Sequence, residues 1–131
     1  MLAASARTAV DFCLSPGQDH DGPWGRELLR QNGPVQLRLP LVADRAYEGT
    51  QTRQLALALG YEPHIPPKAN RRKPWPYDRQ TYKRRNEVER LFRRLKGYRR
   101  VYTRYDKLDI IFLAFITLAL VHDGLRSVNT P

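Results

Sequence analysis

The stretch YKRRNEVERLFRRLK, Tyr82–Lys96, is crowded with arginine and lysine yet holds two glutamates, Glu87 and Glu89. Drawn as a helix at about 100° per residue, it places Tyr82, Arg85, Glu89 and Lys96 within an arc of about 60°. Val88, Leu91, Phe92 and Leu95 form an apolar stripe beside that arc. Lys83, Glu87, Arg90 and Arg94 take the solvent side, where Glu87 can pair with its basic neighbours at helical spacing. Glu89 falls at the margin of the apolar stripe, between Arg85 and Lys96. Two readings of it stand side by side. One is an ion pair with Arg85, worth a few tenths of a kcal/mol. The other is a metal ligand: a carboxylate kept ionised by nearby cations and suited to a hard ion that takes oxygen ligands.

The charge around this helix is lopsided. The chain has 131 residues with 23 basic and 13 acidic side chains, net +10. From Lys68 to Arg100 there are 14 Lys or Arg against Asp78, Glu87 and Glu89, which gives +11 and leaves −1 for everything else. Such a patch favours phosphate backbones through counterion release. A solvated helix face would mix its signs more evenly, and an anionic membrane surface is a third and weaker reading.

Length and composition bound the rest. The chain has the size of one compact domain, and with 41% apolar residues it can bury a modest core. Its single cysteine, Cys13, precludes an internal disulfide and suits a reducing compartment. Met1–Leu14 lacks the pattern of a signal peptide. The longest apolar run, Ile110–Val121, is interrupted by Thr117 and falls short of the ~20 residues a bilayer requires. No membrane partner is therefore expected.

Along the chain, residues 8–14 read as a strand, 15–23 as a loop and 25–33 as a short helix closed by Asn32-Gly33. Residues 37–44 read as a second strand, apolar on successive positions as if covered on both faces. Thr50 is the expected cap of a helix that Gly60 closes. YEPHIPP, 61–67, is extended, since its prolines exclude a helix. After the basic connector KANRRKPWPYD, a long helix is expected over 79–100 and a last one over 106–122. The order predicts an α/β fold, a short mixed sheet followed by two long C-terminal helices.

Asp44 ends the strand LPLVAD, and in open α/β sheets ligand groups gather beyond strand carboxyl ends. Asp also ends strands simply as a turn residue. A strand-end Asp with a helix Glu beside a basic patch is nevertheless a recurring arrangement for two-metal phosphodiester chemistry.

These residues resemble the DDE transposases of bacterial insertion sequences, whose catalytic core is RNase H-like. The carrier is Tyr82-x2-Arg85-x3-Glu89-x6-Lys96, similar to the signature around the family's third catalytic acid. VADRAYEG resembles the stretch around the second acid, SPGQDHD the loop after an early strand, IPPKANR the connector before the signature helix, and RYDKL the approach to the last helix. The likeness runs from about residue 10 to residue 121. It implies that Asp44 and Glu89 are catalytic, metal-binding acids for Mg²⁺ or Mn²⁺. It implies too that Arg85 and Lys96 contact DNA and that Tyr82 helps to position it. The basic residues Arg71, Arg72, Lys73 and Arg93 are expected to contact DNA as well. Trp75 is read first as a packing anchor and second as a DNA contact, and His20-Asp21 as a loop-capping arrangement.

One element of the pattern is missing. Counting back from Ser15 by the family's spacing to the first catalytic Asp reaches Ala4, with no acid beside it. Asp11 lies too near the loop to take the role. The chain is therefore expected to be the C-terminal portion of a single catalytic domain, without the upstream strand or the N-terminal DNA-binding region. Its expected activity is metal-dependent DNA cleavage and strand transfer, competent only with an upstream part that supplies the first Asp. Its expected partners are DNA, that upstream part and a second copy, in the bacterial cytoplasm at the nucleoid. The rival reading is a truncated, catalytically dead remnant with non-specific DNA binding. A chain lacking part of its own sheet should also be marginally stable or prone to aggregate.

Overall fold

The computed structural model of the chain describes residues 1–128. They form an α/β arrangement of short strands followed by several helices, consistent with part of an RNase H-like fold. Two compact units divide them: Ser15–Arg85, and Met1–Leu14 together with the chain from Asn86 onward.

The Ser15–Arg85 unit is built on a β–α–β crossover. Strand β3 (Leu39–Val42) leads through a 3₁₀ turn (Arg45–Tyr47) and helix α2 (Thr50–Ala58) to strand β4 (Tyr61–His64). The two strands pair in parallel, Leu39 opposite Tyr61 and Val42 opposite His64, so both carboxyl ends lie at one edge. A parallel pair needs such a crossover, and a helix is its usual form. Helix α1 (Asp21–Asn32) packs on α2, and Leu28, Leu29, Leu41, Ala56, Tyr61 and Ile65 are buried. Gly60, at φ +89°, turns the chain from α2 into β4; a Cβ there would stand 2.8 Å from the Val35 carbonyl oxygen. That conformation is why the helix closes where the glycine predicts. Gly49, and not Thr50, holds the N-cap position, because the Thr50 hydroxyl is engaged by Arg71 at 2.8 Å.

The other unit opens with an antiparallel hairpin, β1 (Leu2–Ser5) with β2 (Thr8–Asp11). The strand expected over 8–14 thus ends at Asp11 and has a partner that the sequence did not announce. Helix α4 (Asn86–Leu95) packs on β1, and helix α6 (Asp109–Val128) on β2. Leu91, Leu95, Ile116 and Ala119 are its buried side chains. The described strands therefore make two two-stranded sheets, one antiparallel and one parallel.

The helix expected over 79–100 is interrupted twice. Helix α3 (Arg79–Tyr82) passes into a 3₁₀ turn over Lys83–Arg85 before α4 begins, and α4 stops ahead of Gly97. The first junction is a change from α to 3₁₀ geometry over Lys83–Arg85, and the second falls just ahead of Lys96-Gly97. A short helix, α5 (Arg99–Tyr102), then leads to α6. α6 starts three residues later than expected and continues past His122.

Candidate functional site

Asp44 lies two residues beyond the end of β3. Its side chain closes the following turn: Oδ1 accepts a hydrogen bond from the Ala46 N–H at 2.8 Å, and its backbone carbonyl accepts from Tyr47 at 3.1 Å. Among the described residues Oδ2 accepts no hydrogen bond, and the residue is half-exposed. The Asp44 side chain thus fills the turn role through Oδ1.

The same sheet edge receives α3. The backbone N–H of Asp78 donates to Nδ1 of His64, the last residue of β4, at 3.3 Å, and α3 touches both β3 and β4. Asp78 caps α3 through the backbone N–H groups of Gln80 and Thr81 and through the Thr81 hydroxyl at 2.6 Å. The Thr81 hydroxyl first, and then those two N–H groups, hold the Asp78 carboxyl below its usual value of 3.8. Tyr82 ends this short helix with its ring edge-on to Tyr77, 5.6 Å between centroids. Tyr82 and Arg85 are half-buried and belong to the unit that carries Asp44.

The connector is organised from inside. Trp75 donates from Nε1 to the Ile65 carbonyl at 2.8 Å, and the guanidinium of Arg71 lies over its ring at 4.1 Å. Arg71 also pairs with Glu48, whose side chain is only 6% exposed. Trp75 is a packing anchor, and Arg71 is committed to Glu48, Thr50 and Trp75. Arg72 and Lys73 are exposed and sit in the same connector.

In the other unit, α4 carries Glu89 in its first turn and Arg93 in its last, with Lys96 just past its end, all three exposed. The burial of α4 departs from the wheel: Glu87 is half-buried, whereas Glu89 and Phe92 are exposed. The cause is Arg94, drawn inward to Asp123 of α6 by two bonds to Oδ2, at 3.0 Å from Nε and 2.7 Å from the terminal nitrogen. The buried arc of α4 thus takes in Arg94 and Glu87, while Glu89 is exposed. Lys96 borders a cavity of about 350 Å³ lined by Phe12, Phe92, Tyr102 and Phe112. Nothing local announces this aromatic surround, because its members come from four separate elements or joints.

Asp44 and Glu89 therefore belong to different units, as do the two halves of the Tyr82–Lys96 signature. Among the described residues no three His, Cys, Asp or Glu side chains gather into a metal-holding group. Asp11, half-buried on β2, accepts from the Phe12 N–H at 2.8 Å. No described helix is long and apolar enough to cross a membrane.

Comparison with known proteins adds one finding. Residues 41–126 match the family described as Transposase DDE domain. No curated protein matches the chain. No solved structure matches it either.

Proposed function

The chain belongs to the transposase DDE domain family, and on that premise we propose that it is the C-terminal catalytic part of an insertion-sequence transposase. The family acts on DNA in transposition and uses divalent metal ions. What supports the finer reading is that the chain holds a strand-end carboxylate, Asp44, and an exposed helix carboxylate, Glu89. Both lie within the matched residues, and a basic stretch runs between Lys68 and Arg100.

In this reading Asp44 and Glu89 hold Mg²⁺ or Mn²⁺, and the ion supplies charge neutralisation at the phosphate under attack. The chain's own groups do the rest. Arg85 and Lys96 grip DNA phosphates near the scissile bond, Arg as a fork and Lys as a point charge. Arg72, Lys73 and Arg93 extend that grip, and Tyr82 orients the strand. Arg71 acts through Glu48 and Trp75 by holding the connector in shape. Hydrolysis of one phosphodiester frees a 3′-hydroxyl, which then displaces another 3′-oxygen in target DNA. The two compact units are parts of one RNase H-like domain, and the position of the first acid, occupied here by Ala4, is filled from an upstream part. The protein works with DNA, with that part and as a homodimer, at the nucleoid of a bacterial cytoplasm.

The test begins with the DNA upstream of the Met1 codon, translated in all three frames. An overlapping frame that encodes a strand ending in Asp at the family's spacing supports the reading. The joined protein should then cut DNA, and Asp44→Ala or Glu89→Ala should abolish cutting while DNA affinity persists. Unrelated or stop-ridden upstream sequence would leave the remnant reading, with salt-dependent binding alone.

A further inference from the structure

Helix α6 is apolar on both faces, and only one of them is used. Ile116 and Ala119 are buried and Asp123 is bonded to Arg94, so this side faces its own unit. On the opposite side Ile111, Leu118, Val121, Leu125 and Val128 are 41%, 62%, 54%, 61% and 80% exposed. With the exposed Ala114 they follow an alternating spacing of three and four residues without a break. That spacing is the seam by which one helix packs on another, with Ile111, Leu118 and Leu125 at one heptad position and Ala114, Val121 and Val128 at the other. A helix hydrophobic all round belongs in an interior. Among the described residues, the hydroxyl beside the seam, on Thr117, donates to the Leu113 carbonyl of its own helix at 2.9 Å and needs no outside partner.

We propose that this face of α6 docks on the same face of a second copy, the two helices antiparallel about a two-fold axis between residues 119 and 120. The arrangement is self-complementary in volume. Leu125 meets the small Ala114 of the partner, Leu118 meets Val121, and Ile111 meets Val128, so every layer pairs the two heptad positions. A parallel pair would instead set Ala114 on Ala114 and leave a gap, and it would align the two helix dipoles. The exposed side chains offer on the order of 550 Å² per chain, at the small end of specific interfaces. A continuous apolar stripe of that size lies at the upper end of what a monomer leaves in water, and patches of that size are often functional. The proposal stands apart from the catalytic reading, since self-association requires neither DNA nor metal.

The test is sedimentation equilibrium of the full chain from low micromolar to about 100 µM, a span that brackets ordinary dimer affinities. The mass should rise from 15.3 kDa toward twice that value. Leu118→Glu should weaken association at least about a hundredfold with unchanged helical circular dichroism, and Leu37→Glu, at an exposed site elsewhere, should not. A second measurement keeps every apolar layer but one. In a Cys13→Ser background, the pair Ala114→Cys with Leu125→Cys should crosslink under mild oxidation through position 114 of one copy and 125 of the other. A monomer at every concentration would overturn the proposal, as would crosslinks joining only 114 to 114. Association insensitive to Leu118→Glu would overturn it too. So would a face that becomes protected only on joining the upstream part, or that binds anionic vesicles in place of a second copy.

Discussion

At the scale of single residues, the basic side chains divide into those that build and those that remain outward. Arg71 is spent on Glu48 and Trp75, while Arg72 beside it is exposed. Arg71→Ala would leave a nearly buried carboxylate unpaired and should cost about 2–4 kcal/mol in chemical denaturation. Arg72→Ala should change stability by less than ~0.5 kcal/mol. DNA binding should show the reverse: Arg72→Ala lowers the slope of log affinity against log salt by about one, and Arg71→Ala leaves that slope unchanged. Asp78 makes a prediction in pH. Because hydrogen bonds to Thr81 and Gln80 hold its carboxyl below 3.8, the cap of α3 is complete above that value. It is lost as pH falls through the lowered one. The amide resonances of Gln80 and Thr81 should therefore titrate together, below the ordinary carboxylate range. A midpoint at or above 3.8 would contradict the cap.

At the scale of elements, the crossover β3–α2–β4 was legible because its signals are local: an apolar run, a helix closed by Gly60 and prolines that force extension. Gly60→Ala should lower stability by at least about 1 kcal/mol, since φ +89° and the Val35 carbonyl both oppose a Cβ. Asp44 was legible for the same reason, as the polar end of an apolar strand. What escaped the sequence depends on partners far along the chain. The strand Leu2–Ser5 is short and looks like no strand until Thr8–Asp11 pairs with it. The direction in which α4 faces was misjudged, since the wheel cannot know that Asp123 will draw in Arg94. Leu91, fully buried, should cost about 2–5 kcal/mol as Leu91→Ala. Phe92→Ala, at a residue 45% exposed, should cost clearly less. Equal losses would restore the stripe read from the wheel.

At the scale of the molecule, the family match over residues 41–126 and the basic excess near its middle assign the chain to DNA transposition. The bare side of α6 exposes apolar side chains, and association of copies, as proposed, would cover them. The central claim remains the division of labour between two glutamates on one helix. Glu89 is exposed and proposed to hold the metal, whereas Glu87 is half-buried and belongs to the packing of α4. The most direct test is metal-dependent cleavage by the transposase joined to its upstream part, comparing Glu89→Gln with Glu87→Gln at matched DNA affinity. The account predicts that Glu89→Gln loses cleavage by at least about a thousandfold, and that Glu87→Gln keeps it within about tenfold. Cleavage that survives Glu89→Gln, or that is lost in Glu87→Gln alone, would contradict it.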